Sequence, residues 1–259
     1  MTSALPHRID RTIAIDASRE TVFRFFTDTA RWAAWWGQGS TIEPRPGGAV
    51  SIRNPAGTRV AGEVVEVQPP ERIVFTYGYV SGQPIPAGSS RVTIRLEAAG
   101  DGTRLHLVHE LADLAARDRH VQGWRYQLSV FANVVADELH ANAAQLVDAW
   151  FDAWAEPDEL ARREVFARIA TTGVRFRDRY SMLDGLDDLV AHAGAAQRFM
   201  PGIRLHRAGD VRHCLGTVLA DWSARNAEGR ERMSGTNVFV LGASGRIEAA
   251  VGLTNAGRT

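Results

Sequence analysis

The sequence predicts an α+β protein built from two domains. Three observations carry that reading. The chain has 259 residues, long for one domain and comfortable for two. Residues 49–111 read as a series of short strands parted by turn residues and followed by one long helical pattern. From residue 142 the order starts afresh, with helices first and strands after, so the second half does not repeat the first. The expected domains are residues 1–141 and 142–259.

The elements follow in order. A strand over residues 8–15 places Ile9, Ile13 and Ile15 on one face. Ser18 is positioned to cap a helix in which Val22, Phe25 and Phe26 fall at i, i+3 and i+4. Asp28 is positioned to cap a second short helix carrying Trp32, Trp35 and Trp36, three of the 7 tryptophans in the chain. Trp32 and Trp36 are i, i+4 neighbours and are expected to turn inward together, with Trp35 at their edge. Gly37, Gly39, Pro44, Pro46, Gly47 and Gly48 then punctuate a turn region. Strands are expected at 49–53, 60–67, 72–79, 90–97 and 103–111. "NPAG", "QPPE" and "GDGT" supply turn chemistry between them, and residues 81–89 form a longer Pro/Gly-rich loop. Over residues 118–140 the spacing of Trp124, Leu128, Phe131 and Val135 draws one apolar stripe on a long helix. Laying that stripe across the apolar face of the sheet buries both.

In the second half, Asn142 and Gln145 read as a capping box opening a helix whose apolar face is Leu146, Ala149, Trp150 and Trp154. A helix over 158–170 follows, then a strand over 174–180 and a helix over 186–199. Strands are expected at 203–211, 217–225, 231–241 and 246–253. The arginines between Arg162 and Arg168 alternate with apolar residues and read as a solvated helix face.

Composition narrows the chemistry. Thirty cations balance 30 anions, so neither nucleic acid nor an anionic membrane surface is favoured as a partner. Every cation is an arginine, and the absence of lysine excludes Schiff-base catalysis and pyridoxal-phosphate attachment. No apolar run approaches the ~20 residues of a membrane span, and the opening "MTSALPHRID" lacks the apolar stretch of a secretory signal. Cys214 is the single cysteine, which points to a cytoplasmic protein. His106 and His109 fall on opposite faces of their strand, and His206 and His213 share the same parity problem. No metal and no cofactor are expected.

The segments "IDASRETVFRFFTD", "RWAAWWG", "EPRPGGAVSI", "GEVVEVQPPERIVFTY", "TIRLEAAGDGTRLHLVHE" and "HVQGW" come in an order that resembles the activator-of-heat-shock-ATPase-like branch of the START/SRPBCC (helix-grip) superfamily, over about residues 6–141. The resemblance implies an antiparallel sheet wrapped on a long C-terminal helix, with a cavity between them. That superfamily hosts lipid carriers, aromatase/cyclases and hydrolases alike. "LVDAWFDAWAEPD", "VRFRDRYSMLDGLDDLVAH", "RFMPGIRL" and "GTNVFVLGASGRIEAA" resemble the SnoaL-like members of the nuclear-transport-factor-two-like cone fold, over about residues 143–254. This second resemblance implies a cone-shaped α+β barrel, in a family of polyketide cyclases, a steroid isomerase and an epoxide hydrolase. By analogy with cone-fold domains it also implies a homodimer.

Alternation then selects candidate residues. Ile73, Phe75, Tyr77 and Tyr79 share one strand face, and Leu105, Leu107, His109 and Leu111 another. Tyr77, Tyr79 and His109 put polar tips on an otherwise apolar lining, with Trp35 and Trp124 as aromatic walls. Such a lining suits a flat, hydrophobic ligand, and it equally suits a core whose histidine is internally satisfied. In the second half Val174, Phe176, Asp178 and Tyr180 are expected on one face. A carboxylate on that apolar face is a candidate general acid or base, with Tyr180 as a hydrogen-bond donor; a salt bridge or a turn cap would account for it equally well. Where relatives carry an acid in a "G-x-D" pattern, this chain has Gly235-Thr236-Asn237, and asparagine binds but does not shuttle protons. Trp222 and His192 complete the set. The function expected is binding of a small hydrophobic, aromatic or polyketide-like molecule, with cyclase- or isomerase-like chemistry that needs no cofactor. The alternatives are a carrier or sensor without turnover, and a co-chaperone-like interaction module.

Overall fold

A computed structural model describes residues 4–255. The chain divides into two compact units, the first ending at Val135 and the second starting at Ala136. Among the described residues no helix is long and apolar enough to cross a membrane.

The first unit opens with β1 (His7–Ile15), α1 (Arg19–Arg24) and α2 (Thr29–Trp36). Then come β2 (Thr41–Ile42), β3 (Ala49–Arg53), β4 (Arg59–Gln68), β5 (Arg72–Tyr77), β6 (Ser90–Ala99) and β7 (Gly102–Leu111). The strands form one antiparallel sheet in the order β1-β7-β6-β5-β4-β3-β2. Both expected caps form: the Ser18 side chain accepts the Thr21 backbone N–H, and Asp28 Oδ1 accepts that of Arg31 at 2.9 Å. The helix α3 (Leu114–Leu139) starts earlier than the apolar stripe indicates, because Asp113 Oδ1 takes the Ala116 N–H at 2.7 Å and nucleates the first turn.

The apolar stripe of α3 meets the phenylalanines that follow α1 and the tryptophans of α2. Phe131 stacks on Phe26 at 4.9 Å between centroids and meets Phe25 edge-on at 6.0 Å. The three α2 tryptophans are all buried, and their arrangement differs from the expectation. The closest pair is Trp35 with Trp36, at 4.3 Å, and Trp32 stands across both. Burial of rings this large stabilises a core by several kcal/mol.

The second unit contains α4 (Ala143–Ala155), α5 (Glu159–Ile169), β8 (Ala170–Arg177), β9 (Met182–Asp184) and α6 (Leu186–Phe199), then β10 (Arg204–Cys214), β11 (Thr217–Arg225), β12 (Glu231–Leu241) and β13 (Ile247–Thr254). The sheet order is β10-β11-β12-β13-β8-β9, antiparallel except for the parallel β13–β8 pair. It is an open six-stranded sheet rather than a closed barrel. The core gathers on Trp150 of α4, whose ring meets Phe166, Phe176 and Phe239 at 5.4, 5.8 and 5.5 Å.

Three local expectations are corrected here. Asn142 precedes α4 but makes no side-chain capping bond, so the capping box does not form. Arg162 does not belong to a solvated face: it is buried, and its guanidinium bonds the carbonyls of Val190 (3.1 Å), Glu156 (2.6 Å) and Pro157 (3.4 Å). The strand expected over 174–180 ends at Arg177, and the chain turns back into β9.

Candidate ligand cavity

The sequence-selected residues of the first unit are tied to one another. Trp124 Nε1–H donates to His109 Nδ1 at 2.9 Å. An indole can only donate, so the His109 proton sits on Nε2, which lies 2.8 Å from Ser90 Oγ. Ser90 Oγ–H then donates to the Tyr77 carbonyl at 2.7 Å. His120 Nδ1–H donates to the Ala116 carbonyl at 2.7 Å, so its Nε2 accepts the Tyr79 hydroxyl at 3.1 Å. His109 is fully buried, and burial, with His120 beside it, lowers its pKa to about 3. Burial also lowers the His120 pKa, opposed by its bond to Ala116. Burial, with the Tyr79 hydroxyl adjoining, pushes the Tyr77 phenol well above its usual range. The two histidines and the Tyr79 hydroxyl are therefore spent inside the protein, and the Tyr77 ring packs among Tyr79, His109, His120 and Trp124. Trp35 is likewise enclosed: 3% exposed, it donates through Nε1 to the Phe25 carbonyl at 3.2 Å and packs on Phe26, Trp36 and Phe131. The ligand-facing wall expected of Trp35 is a core contact.

The second unit holds a cavity of about 340 Å³. One wall is aromatic: Trp150, Phe151 and Trp154 from α4, Phe176 from β8 and Trp222 from β11. Ala196 and Gln197 from α6, and the following Met200, Ile203 and Leu205, form another. Asp178, Tyr180, Asn237, Gly252 and Thr254 supply polar or open positions. The volume falls in the range of small-molecule pockets, which pair mostly apolar walls with a few placed polar groups.

Asn237 is the buried polar centre. Its Oδ1 accepts Trp222 Nε1–H at 2.9 Å, which fixes the orientation of the amide. The Nδ2 group makes no hydrogen bond among the described residues and is not sealed from the cavity. Trp222 can lie across β12 because its register partner is Gly235, where an added Cβ would come within 2.6 Å of the indole. The site converges at Gly252: a Cβ built there would lie 3.3 Å from both Asn237 Oδ1 and the Asp178 Cβ.

Asp178 and Tyr180 border the cavity in a geometry that alternation does not give. Asp178 sits just past the end of β8, half-buried, and its Oδ1 accepts the Tyr180 backbone N–H at 2.7 Å. Asp178 N–H in turn donates to the Ser181 carbonyl at 3.0 Å, closing a tight turn into β9. The turn carries the Tyr180 ring to the rim, 79% exposed, instead of inward beside Asp178. His192, on α6, does not line the cavity; its Nε2 bonds Ser181 Oγ at 2.9 Å and anchors that turn. Of the sequence-selected residues, Asp178, Tyr180, Trp222 and Asn237 meet at this cavity, whereas Tyr77, Tyr79, His109 and Trp124 form the internal network of the first unit. The sequence reading missed Gln197, Met233 and Gly252. Period-2 alternation back from Asn237 along β12 reaches Gly235 and Met233, so one of them was within reach. Among the described residues no group of three or more His, Cys, Asp or Glu side chains is placed to hold a metal.

With the geometry in hand, residues 16–136 match the family of activator of Hsp90 ATPase homolog 1-like proteins. The first half of the chain resembles that family. Among solved structures, a SnoaL-like family protein from Agrobacterium tumefaciens is 26% identical over 46% of this chain and 99% of its own, at a TM-score of 0.42. CalU16 from Micromonospora echinospora is 26% identical over 51% of this chain and 78% of its own, at a TM-score of 0.42. The Aha1 dimer from Colwellia psychrerythraea is 17% identical over 47% of this chain and 90% of its own, at a TM-score of 0.41. No curated protein matches the chain. The helix-grip resemblance of the first half accords with the family match.

Proposed function

We propose that the second unit binds a small, mostly apolar molecule in the cavity between α4, α6 and the sheet. One observation carries the reading: an aromatic-walled space of about 340 Å³ holds a buried amide, Asn237, whose Nδ2 donors have no partner among the described residues. The Nδ2 donors stand open to that space, so an acceptor on a ligand placed there gains a hydrogen bond worth about 0.5–1.5 kcal/mol. N-phenylnaphthylamine, an apolar fluorophore, tests the reading. It binds saturably with blue-shifted emission, and Ala196→Trp, which fills the cavity from α6, abolishes binding while the protein still melts cooperatively. Binding that is absent from the parent protein, or unaffected in the filled variant, contradicts it.

A second reading adds chemistry to the same space. Asp178 is the single carboxylate among the described cavity-lining residues, and one of its oxygens is already held by the Tyr180 N–H. With Asn237 unable to transfer protons, any acid–base step rests on Asp178, with the Tyr180 hydroxyl as a donor at the rim. Asp178→Asn then leaves probe affinity within about 2-fold and, on a substrate that turns over, lowers the rate by ~10²–10⁴.

A further inference from the structure

The cavity does not end at an apolar mouth. Asp178, Tyr180, Met233, Gly252 and Thr254 also line an open groove of about 1000 Å³, so the two spaces are continuous. Three arginines border that groove. Arg177 is committed: its guanidinium pairs with Asp184 at 2.6 Å and bonds the Leu183 carbonyl. Arg179 and Arg232 are exposed, and neither guanidinium makes an ion pair or hydrogen bond among the described residues. Arg179 instead leans over the Tyr180 ring, 6.0 Å from its centroid.

The rim therefore offers two open guanidiniums and a phenol. Against them stand two carboxylates, Asp178, half engaged by its own turn, and Glu231. Donors exceed acceptors, and a planar guanidinium matches carboxylate and phosphate oxygens through paired N–H bonds.

We infer that the ligand is an anionic amphiphile, whose apolar body enters the cavity and whose carboxylate- or phosphate-like head rests between Arg179 and Arg232. This rests on the cavity reading above and adds the ligand's charge. The head stays at the mouth, where water still reaches it, so no charge need be buried among the tryptophans.

Two probes sharing one apolar body separate the claims: neutral N-phenylnaphthylamine and anionic anilinonaphthalene sulfonate. At low ionic strength the sulfonate binds about 10-fold more tightly than the neutral probe, and the difference shrinks with added salt. The Arg179→Gln/Arg232→Gln double variant brings the sulfonate down to the level of the neutral probe and leaves the neutral probe unchanged. Both positions are exposed, so the fold tolerates the exchange. Equal affinities in the parent protein, or a sulfonate affinity indifferent to the double variant, overturn the anionic head while the cavity stands. Failure of the neutral probe to bind overturns the cavity itself.

Discussion

At the scale of single residues, His109 and Asn237 are the same kind of feature put to opposite uses. Each is a polar side chain on an apolar sheet face bonded to a tryptophan indole. His109 spends its second nitrogen on Ser90, whereas Asn237 keeps its second group open to a cavity. Sequence alternation places both on inner faces but says nothing of what each partner consumes, because that depends on residues 15 positions away in each case. The internal use of His109 has a pH signature. Its pKa is lowered from 6.5 to about 3, so the unfolded chain takes up a proton that the native protein refuses. The stabilisation is complete above pH 6.5 and falls by roughly 4 kcal/mol as pH drops towards 3. His109→Gln preserves one donor and one acceptor and removes the titration. Urea midpoints followed from pH 7 to 4 are expected to fall more steeply in the parent protein than in the variant; parallel slopes would show that His109 does not control acid stability.

At the scale of elements, α4, α5 and α6 are joined through one buried cation. Arg162 reaches from α5 to the carbonyls that follow α4 and to Val190 within α6, so its charge faces the negative end of α4. Gln197 adds bonds from α6 to the Trp154 and Glu156 carbonyls at 2.9 and 2.8 Å, and Trp154 and Gln197 both border the cavity. The helix pattern gave no hint of this, since an arginine among arginines reads as surface until its neighbours in space are known. Gly194 makes the approach possible: a Cβ there would lie 2.5 Å from Arg162 Nη2. Gly→Ala inside a helix ordinarily stabilises by about 1 kcal/mol. Here Gly194→Ala is expected to destabilise by ~1–3 kcal/mol, and Arg162→Met by ~2–4 kcal/mol through unpaired carbonyls. The double variant loses less than the sum of the two single losses, because the clash needs the guanidinium. Fully additive losses in denaturant titrations would mean the two residues act independently. The end of β8 teaches a related lesson. Period-2 counting carries the strand to residue 180, yet the Asp178 side chain captures the Tyr180 N–H and turns the chain three residues early.

At the scale of the whole molecule, the order of elements was legible because hydrophobic period and turn chemistry agree along nearly the entire chain. The two-residue β2 and the short β9 escaped because neither is long enough to show a period. What the pattern leaves open is which interior is occupied by its own side chains. In the first unit, Trp35, Trp36, Trp124 and Phe131 press together, and His109, His120 and Tyr79 bond internally. In the second, aromatic side chains surround space instead of filling it. The 7 tryptophans report directly on that contrast, since each indole N–H gives its own nuclear magnetic resonance signal. Saturation with N-phenylnaphthylamine is expected to shift the indole signals of Trp154 and Trp222 and the side-chain amide of Asn237, while those of Trp32, Trp35 and Trp124 stay in place. Shifts confined to Trp35 and Trp124, with Trp222 and Asn237 unmoved, would contradict a ligand cavity in the second unit.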